Sequence, residues 1–270
     1  MAAPPPLIET GFVRVKQTRH GVMAYNKNDI YVGRALDLYG EHTELELQAL
    51  GKLIPAGGTV IDVGANIGVH SVFFAKTVGP QGRVLAFEPQ RHAFQLLAAN
   101  AALNGLSNLR IERAAVGPCG GEIHVPDLDP AATSNFGGVS VNAKGDGEPV
   151  AMIALDSLDL GRCDLIKIDV EGLEIEVLQG ARDTVVLHAP LLYVENDRQE
   201  HSAKLIALLF SLDYRLFWHL PYLFNPDNFF AKADNVFGNV LSVNMLAVPK
   251  TRALKIEGLK EILSPKDWWR

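Results

Sequence analysis

Cysteine is scarce in this chain of 270 residues: two occur, Cys119 and Cys163, far apart and outside any Cys-x-x-Cys pair. That excludes a zinc knuckle and a disulfide framework, and a reducing, cytoplasmic setting is expected. An excess of positive charge is also missing. Lys and Arg number 25 against 31 Asp and Glu, a net charge of -6, so a nucleic-acid partner, which needs a broad basic face, is not expected. No apolar run approaches the roughly 20 residues that span a bilayer, and "KLIALLF" reads as a buried helix. The N-terminal "MAAPPPLIET" has neither the basic region nor the continuous apolar stretch of a secretory signal. No internal repeat is visible. With 48% hydrophobic residues the composition is that of an ordinary globular protein with a sizeable core.

The segment "TVIDVGANIGVHSVFFAKTVG", Thr59 to Gly79, organises the chain. Val60 to Val63 reads as a short buried strand. A glycine turn follows, then an apolar run with helical spacing. Gly64 and Gly68 permit backbone angles that side-chained residues resist and a close ligand approach. The helix after the turn offers free N–H groups to a negative group. Asp62, at the strand end, can accept from a ligand's amino group. The spacing Asp-x-Gly-x-x-x-Gly is neither the Gly-x-Gly-x-x-Gly of a dinucleotide fold nor a P-loop. It suits a ligand without a pyrophosphate. In "GRVLAFEP" a second strand ends in Glu88, roughly 20 residues past the turn, where an acceptor for ribose hydroxyls belongs.

The remaining segments read in order. Residues up to Gly11 form a loose tail. Phe12 to Val32 gives a small antiparallel addition with "TRHG" as its turn. Tyr39 to Gly58 reads as one helix, stopped by Pro55 and Gly57, which could cover the ligand. "QRHAFQLLAANAALNGL" is a helix closed by Asn104 and Gly105. Leu109 to Val116 is a third strand, with Ala115 and Val116 bordering an adenine ring. Gly117 to Val150 is irregular, with scraps of strand at Glu122 to Val125 and Val139 to Val141. In "DLIKIDVEGLEIEVLQGA" a buried strand ends at Asp169, and Glu171 and Gly172 turn the chain into a helix. Lys167 is placed to neutralise nearby carboxylates. "PLLYVEND" repeats the arrangement with Glu195. A helix over His201 to Leu212 and strands over Tyr214 to Trp218 and Ser242 to Val248 complete the pattern. Between the last two lies "HLPYLFNPDNFFAKADNVFGN", a lid or substrate wall, or rings packed on the core. Trp268 and Trp269 dock on the body or a partner.

This order predicts an α/β fold: a doubly wound, mostly parallel, Rossmann-like sheet with an N-terminal β addition. The expected organisation is a tail and small β cap over residues 1–38, one domain over 39–249, and a C-terminal tail over 250–270.

With "VIDVGANIGVHS", "VLAFEP", "LIKIDVEGLEIEVLQGA" and "LLYVEND" in view, the chain resembles the FkbM family of S-adenosylmethionine-dependent methyltransferases over about Asp37 to Val248. The resemblance implies a seven-stranded sheet with one antiparallel strand. It also implies methyl transfer, usually to a hydroxyl oxygen of a natural product or sugar. Carried onto this chain, Asp62, Gly64, Asn66 and Gly68 surround the methionine part of the cofactor, with Ala65 in the same turn, and Glu88 and Pro89 stand at the ribose. Glu41 matches a recurring family position and touches the cofactor. His70 either faces the acceptor or supports the loop. A hydroxyl acceptor also needs a general base. The candidates are Asp169, first choice and also beside the cofactor, Glu171, Glu195 and His219. Four carboxylates, Asp169, Glu171, Glu195 and Asp197, would suit Mg²⁺; no spacing demands a metal, and none is assigned. The expected partner is a small-molecule hydroxyl acceptor, with a homo-oligomer left open. Two other readings share the fold: an NAD(P)-dependent oxidoreductase, against which stand the missing third glycine and the lack of a Ser-Tyr-Lys set, and a non-catalytic nucleoside-binding module.

Overall fold

A computed structural model describes residues 4–138 and 147–270. The chain opens with three antiparallel strands, β1 (Ile8–Thr10), β2 (Val13–Thr18) and β3 (Gly21–Asn26). The expected loose tail is thus a strand in part. Gly11, at φ 54°, reverses the chain so that Ile8 pairs with Val15, a backbone angle that glycine takes without strain. The turn at Arg19 and His20 lies where "TRHG" placed it.

The helix expected over Tyr39 to Gly58 is the shorter α2 (Glu44–Gly51), and a helix the sequence reading did not contain, α1 (Val32–Tyr39), precedes it. Gly40 separates them. It sits in the left-handed region at φ 68° and closes α1 by donating its N–H to the carbonyl of Leu36, the usual glycine stop. Val32, Ala35, Leu36 and Tyr39 form the buried stripe of α1.

Next come β4 (Thr59–Val63), α3 (Val69–Val78), β5 (Arg83–Phe87), α4 (Arg91–Leu103) and β6 (Leu109–Glu112). The third strand ends earlier than expected. After Glu112 the chain leaves the sheet. Ala115–Val116 becomes β7 of a separate three-stranded sheet with β8 (Gly121–Val125) and β9 (Glu148–Ile153), in the order β7-β9-β8. Within the stretch read as irregular, the scrap of strand expected at Glu122 to Val125 is β8, and β9 begins at Glu148. The expected strand scrap at Val139 to Val141 lies outside the described residues. The main sheet resumes with β10 (Leu165–Ile168), α5 (Glu174–Gln179), α6 (Arg182–His188), β11 (Leu191–Glu195), α7 (Gln199–Ser211), β12 (Tyr214–His219), β13 (Asn244–Pro249) and β14 (Lys260–Ile262).

The sheet order is β14-β12-β13-β11-β10-β4-β5-β6. From β6 to β11 the neighbours are parallel, and β13 runs against both β11 and β12. These are the seven expected strands. Inside the segment read as a tail, β14 adds an eighth at the edge, antiparallel to β12, and Trp268 packs edge-on against Trp218 at 6.0 Å. The central strands carry continuous apolar runs (Val60, Ile61; Ile166, Ile168; Leu191, Leu192, Val194), all fully buried, because helices cover both faces. Order reverses between β4 and β10. The crevice at their carboxyl ends is where such sheets bind ligands. Cys119 is exposed, Cys163 is buried, and both are free. Among the described residues no helix is long and apolar enough to cross a membrane.

Asn100, fully buried on α4, clamps the N-terminal sheet to this body. Its Oδ1 accepts from Ala24 N (2.6 Å), and its Nδ2 donates to Ala24 O (3.0 Å) and Ile67 O (2.7 Å). Asn100→Ala strands buried backbone groups and is expected to cost about 2–4 kcal/mol, read by equilibrium urea unfolding. A loss below about 0.5 kcal/mol would show that the clamp is redundant.

Candidate active site

A cavity of about 360 Å³ opens at the carboxyl ends of β4, β5, β10 and β11. The glycine turn forms its floor. Gly64 has φ 76°, and a Cβ there would meet the carbonyl oxygen of Asp169 at 1.7 Å. Only glycine lets the turn lie this close to β10. Asn66 takes φ 51°, which a short amide side chain tolerates. Its backbone N–H donates to Glu88 Oε2 at 2.8 Å, and the other Glu88 oxygen accepts from Gln90 N at 2.8 Å. Two backbone donors thus aim the Glu88 carboxyl at the cavity. Burial pushes this carboxyl up to about 7, against the pull of those N–H groups.

Of the expected site residues, Gly64, Ala65, Asn66, His70, Glu88, Pro89, Ala115, Val116, Asp169, Glu171 and Glu195 line the cavity. Four others do not, and each has a physical reason. Asp62 is fully buried behind the turn, where its Oδ2 accepts from Ser71 Oγ at 2.6 Å and its Oδ1 lies 3.3 Å from Lys167 Nζ. Gly68 faces α4: a Cβ would meet Leu97 Cδ1 at 2.5 Å. Glu41 accepts from Arg19 Nε (2.6 Å), Asn225 Nδ2 (2.8 Å) and Phe229 N (2.8 Å), so it fastens the aromatic segment rather than a ligand. His219 is tied by its Nδ1 to the Tyr193 hydroxyl at 2.8 Å, and burial lowers its pKa.

Lys167 was read as a neutralising cation, and its geometry is specific. It is the direct cross-strand neighbour of Asp62 in the β10–β4 pairing. Its Nζ donates to Gly64 O at 3.0 Å and lies 3.3 Å from Asp169 Oδ2. Burial alone would lower its pKa; the charges of Asp62, Asp169 and Glu46 outweigh that and raise it.

Asp169, Glu171 and Glu195 can each offer an oxygen within 4.8 Å of the others. Glu171, at φ 57°, accepts from Arg198 Nη2 at 2.8 Å. Burial, then the charges of Asp169, Asp197, Glu171 and Glu174, raise Glu195 well above the usual carboxylate range. Its Oε2 is buried with no hydrogen-bond partner among the described residues.

Two cavity residues escaped the sequence reading. Half-buried His42 is pushed down to about 4 by burial. Glu46 lies 3.3 Å from His70 Nε2. For Glu46 a signal existed: an acid on the stripe of Leu50, one turn away on α2, is out of pattern. Of the aromatic segment, Leu223 reaches the cavity wall, and so do residues 240–243 just after it. Phe229 and Phe230 instead pack over Gly40, and Phe237 against Tyr31 and Tyr39.

A doubly wound sheet with a glycine turn and a strand-end acid on one cavity defines a Rossmann-like fold. The family model described as the Methyltransferase FkbM domain matches residues 62–216, more than half of the chain, and the chain belongs to that family. It is 29% identical over 167 residues to "Methyltransferase sdnD" of Sordaria araneosa, covering 47% of this chain and 61% of that protein. It is 27% identical over 186 residues to "AMB antimetabolite synthetase AmbE" of Pseudomonas aeruginosa, covering 54% of this chain and 9% of that protein. The chain thus spans less than two thirds of either relative. Among solved structures it is similar to a methyltransferase FkbM from Methylobacillus flagellatus, at 20% identity and a TM-score of 0.47, over 73% of this chain and 45% of that one.

Lys167→Met leaves Asp62 as a buried, unpaired carboxylate, and such losses cost about 3–5 kcal/mol. Chemical denaturation should show this loss, and Asp62→Asn in the same chain should return part of it. Equal costs for the single and double variants would mean that the pair is not coupled.

Proposed function

We propose that this protein transfers a methyl group from S-adenosylmethionine to a hydroxyl oxygen of a small molecule, a sugar or natural product. The observation that carries the reading is Glu88, aimed into the cavity by two backbone N–H groups at the end of β5. A carboxylate so held accepts hydrogen bonds from a ribose. Pro89, Ala115 and Val116 give that end of the cavity an apolar wall suited to a flat base. When bound, the cofactor supplies an electrophilic methyl group on a sulfonium.

The chain's own residues have the other tasks. Asp169 has the most exposed carboxylate of the acidic trio that its Oδ2, Glu171 and Glu195 make at the cavity, and it is assigned to take the acceptor's hydroxyl proton. Glu195, held protonated, donates a hydrogen bond to the acceptor. Leu223, Val240 and Leu241 exclude water beside them, and alignment of oxygen with methyl supplies much of the rate.

Calorimetric titration with S-adenosylmethionine, S-adenosylhomocysteine, NAD⁺ and NADP⁺ tests the cofactor class. Only the first two are expected to bind, and Glu88→Ala should weaken both by tenfold or more, about 1.4 kcal/mol. Binding of a nicotinamide cofactor instead would move the chemistry to hydride transfer. Protonated Glu88 must release its proton before both oxygens can accept from a ribose. Affinity for S-adenosylhomocysteine should therefore fall as pH drops below about 7, and a pH-independent affinity between 5.5 and 8 would contradict this role. In a screen of hydroxyl acceptors, Asp169→Asn should keep cofactor affinity and lose turnover by about 10²-fold or more. Full turnover in this variant would remove Asp169 as the base.

A further inference from the structure

The pairing of β12 with β13 does not stop at the edge of the sheet. The last pair of the ladder is His219 with Asn244, and Tyr222 bridges Leu241 in the same register three residues further on. Ser242 N donates to Pro221 O at 2.9 Å, and Leu223 N donates to Val240 O at 3.0 Å. A two-stranded ribbon over 221–223 and 240–242 thus carries the hairpin past the carboxyl ends of the parallel strands. The chain between its two strands is fastened to the body. The Tyr39 hydroxyl donates to Asp234 O and accepts from Val236 N, both at 2.8 Å. Phe237 stacks on Tyr31, a residue of the cavity lining, at 6.2 Å. The ribbon is therefore braced at both ends.

Register also fixes what the ribbon stands beside. Asn244, where it joins β13, is the direct neighbour of Glu195 on β11, and Asn196 N donates to Val243 O at 2.8 Å. Residues 240–243 therefore rise next to Glu195, with Asp169 at the end of the adjoining strand, β10. Leu223, Val240, Leu241 and Val243 line the cavity here, and Ser242 is the one polar residue of the stretch 240–243. Tyr222, opposite Leu241, is 52% exposed, and Val240 39%. Large apolar side chains left in water at the rim of a cavity suit the apolar surface of a ligand. The cavity thus has two unlike sides: carboxylates at the ends of β10 and β11, and apolar side chains on the ribbon. A molecule with hydroxyls all round would bury some of them against Leu241 and Val243, and a buried hydroxyl without a partner is costly. A hydroxyl on an apolar ring or chain satisfies both sides. The matched family region ends at residue 216, before the ribbon begins.

We propose that the ribbon, through Tyr222, Val240 and Leu241, selects acceptors whose hydroxyl is carried by an apolar ring or chain and discriminates against free sugars. The proposal narrows the acceptor class of the reading above and rests on it. Calorimetry with S-adenosylhomocysteine reads the cofactor first. Protein saturated with it is then titrated with phenol, para-butylphenol and methyl glucoside. The butyl compound should bind about tenfold or more tightly than phenol, because each buried methylene adds to affinity, and methyl glucoside should bind more weakly than phenol. Tyr222→Ser and Leu241→Asp should each cut the gain from the butyl chain to about threefold or less and keep S-adenosylhomocysteine affinity within about twofold. The retained nucleoside affinity reports an intact fold, and Tyr222→Ser, at an exposed position, stands should Leu241→Asp not fold. Four outcomes would overturn the ribbon's role and leave the cofactor reading standing: no binding of either phenol, no gain from the butyl chain, tighter binding of methyl glucoside, or a preference that neither variant changes. A wild type that does not bind S-adenosylhomocysteine would overturn both.

Discussion

The ammonium of Lys167 is the constraint on which the site depends. It lies where the strand order reverses, between β4 and β10, and its three neighbours come from both sides of that line: Asp62 and the Gly64 carbonyl from one strand, Asp169 from the other. A cation buried to 3% exposure costs several kcal/mol unless it is paired. Here the pairing and the shape of the turn are one requirement. The Gly64 carbonyl can reach Lys167 only because residue 64 has no Cβ to strike the Asp169 backbone. Once the turn is pinned, Asn66 N points at Glu88 and α3 starts where His70 meets Glu46. Asp62 thus shapes the turn and does not itself line the cavity.

This explains what was legible in the sequence. The strand–turn–helix units and the strand-end acids are local, and period and glycine placement reveal them. Glu88 and Asp169 could be put at the cavity because any residue at a parallel strand's end lies there. Glu41 and Glu46 could not be told apart in that way. Both are acids beside one short helix, and what separates them is long-range contact: Asn225 and Phe229 for one, His70 for the other. Helix α1 was not read from the sequence for a similar reason. Nothing in the local pattern marks Gly40 as a stop, while in the fold its missing Cβ makes room for the Phe230 ring, which would lie 2.8 Å away. Of the small sheet, β8 was read as a scrap of strand, but its pairing was not legible because the middle strand comes from 23 or more residues down the chain.

The acidic end of the cavity shows how like charges are kept together. Asp169, Glu171 and Glu195 each bring an oxygen within 4.8 Å of the others, with Asp197 and Glu174 near. Lys167 and Arg198 are the cations in contact, on Asp169 and Glu171 respectively. Neighbouring carboxylates in a desolvated site resist ionising together, and burial and the surrounding charges raise the pKa of Glu195 well above the usual carboxylate range. The three carboxylates thus stand in different environments: Asp169 beside Lys167, Glu171 on Arg198, and Glu195 buried among like charges.

The short connection between α1 and α2 joins these features to the periphery. Glu41 holds Arg19 from the β2–β3 turn and the backbone of Phe229 from the aromatic segment, while His42 and Glu46, immediately after it, face the cavity. The N-terminal sheet and the aromatic segment are therefore anchored to the stretch that carries one wall of the site. The N-terminal strands, which lie outside the matched family region, contribute to the site through this connection and through Asn100.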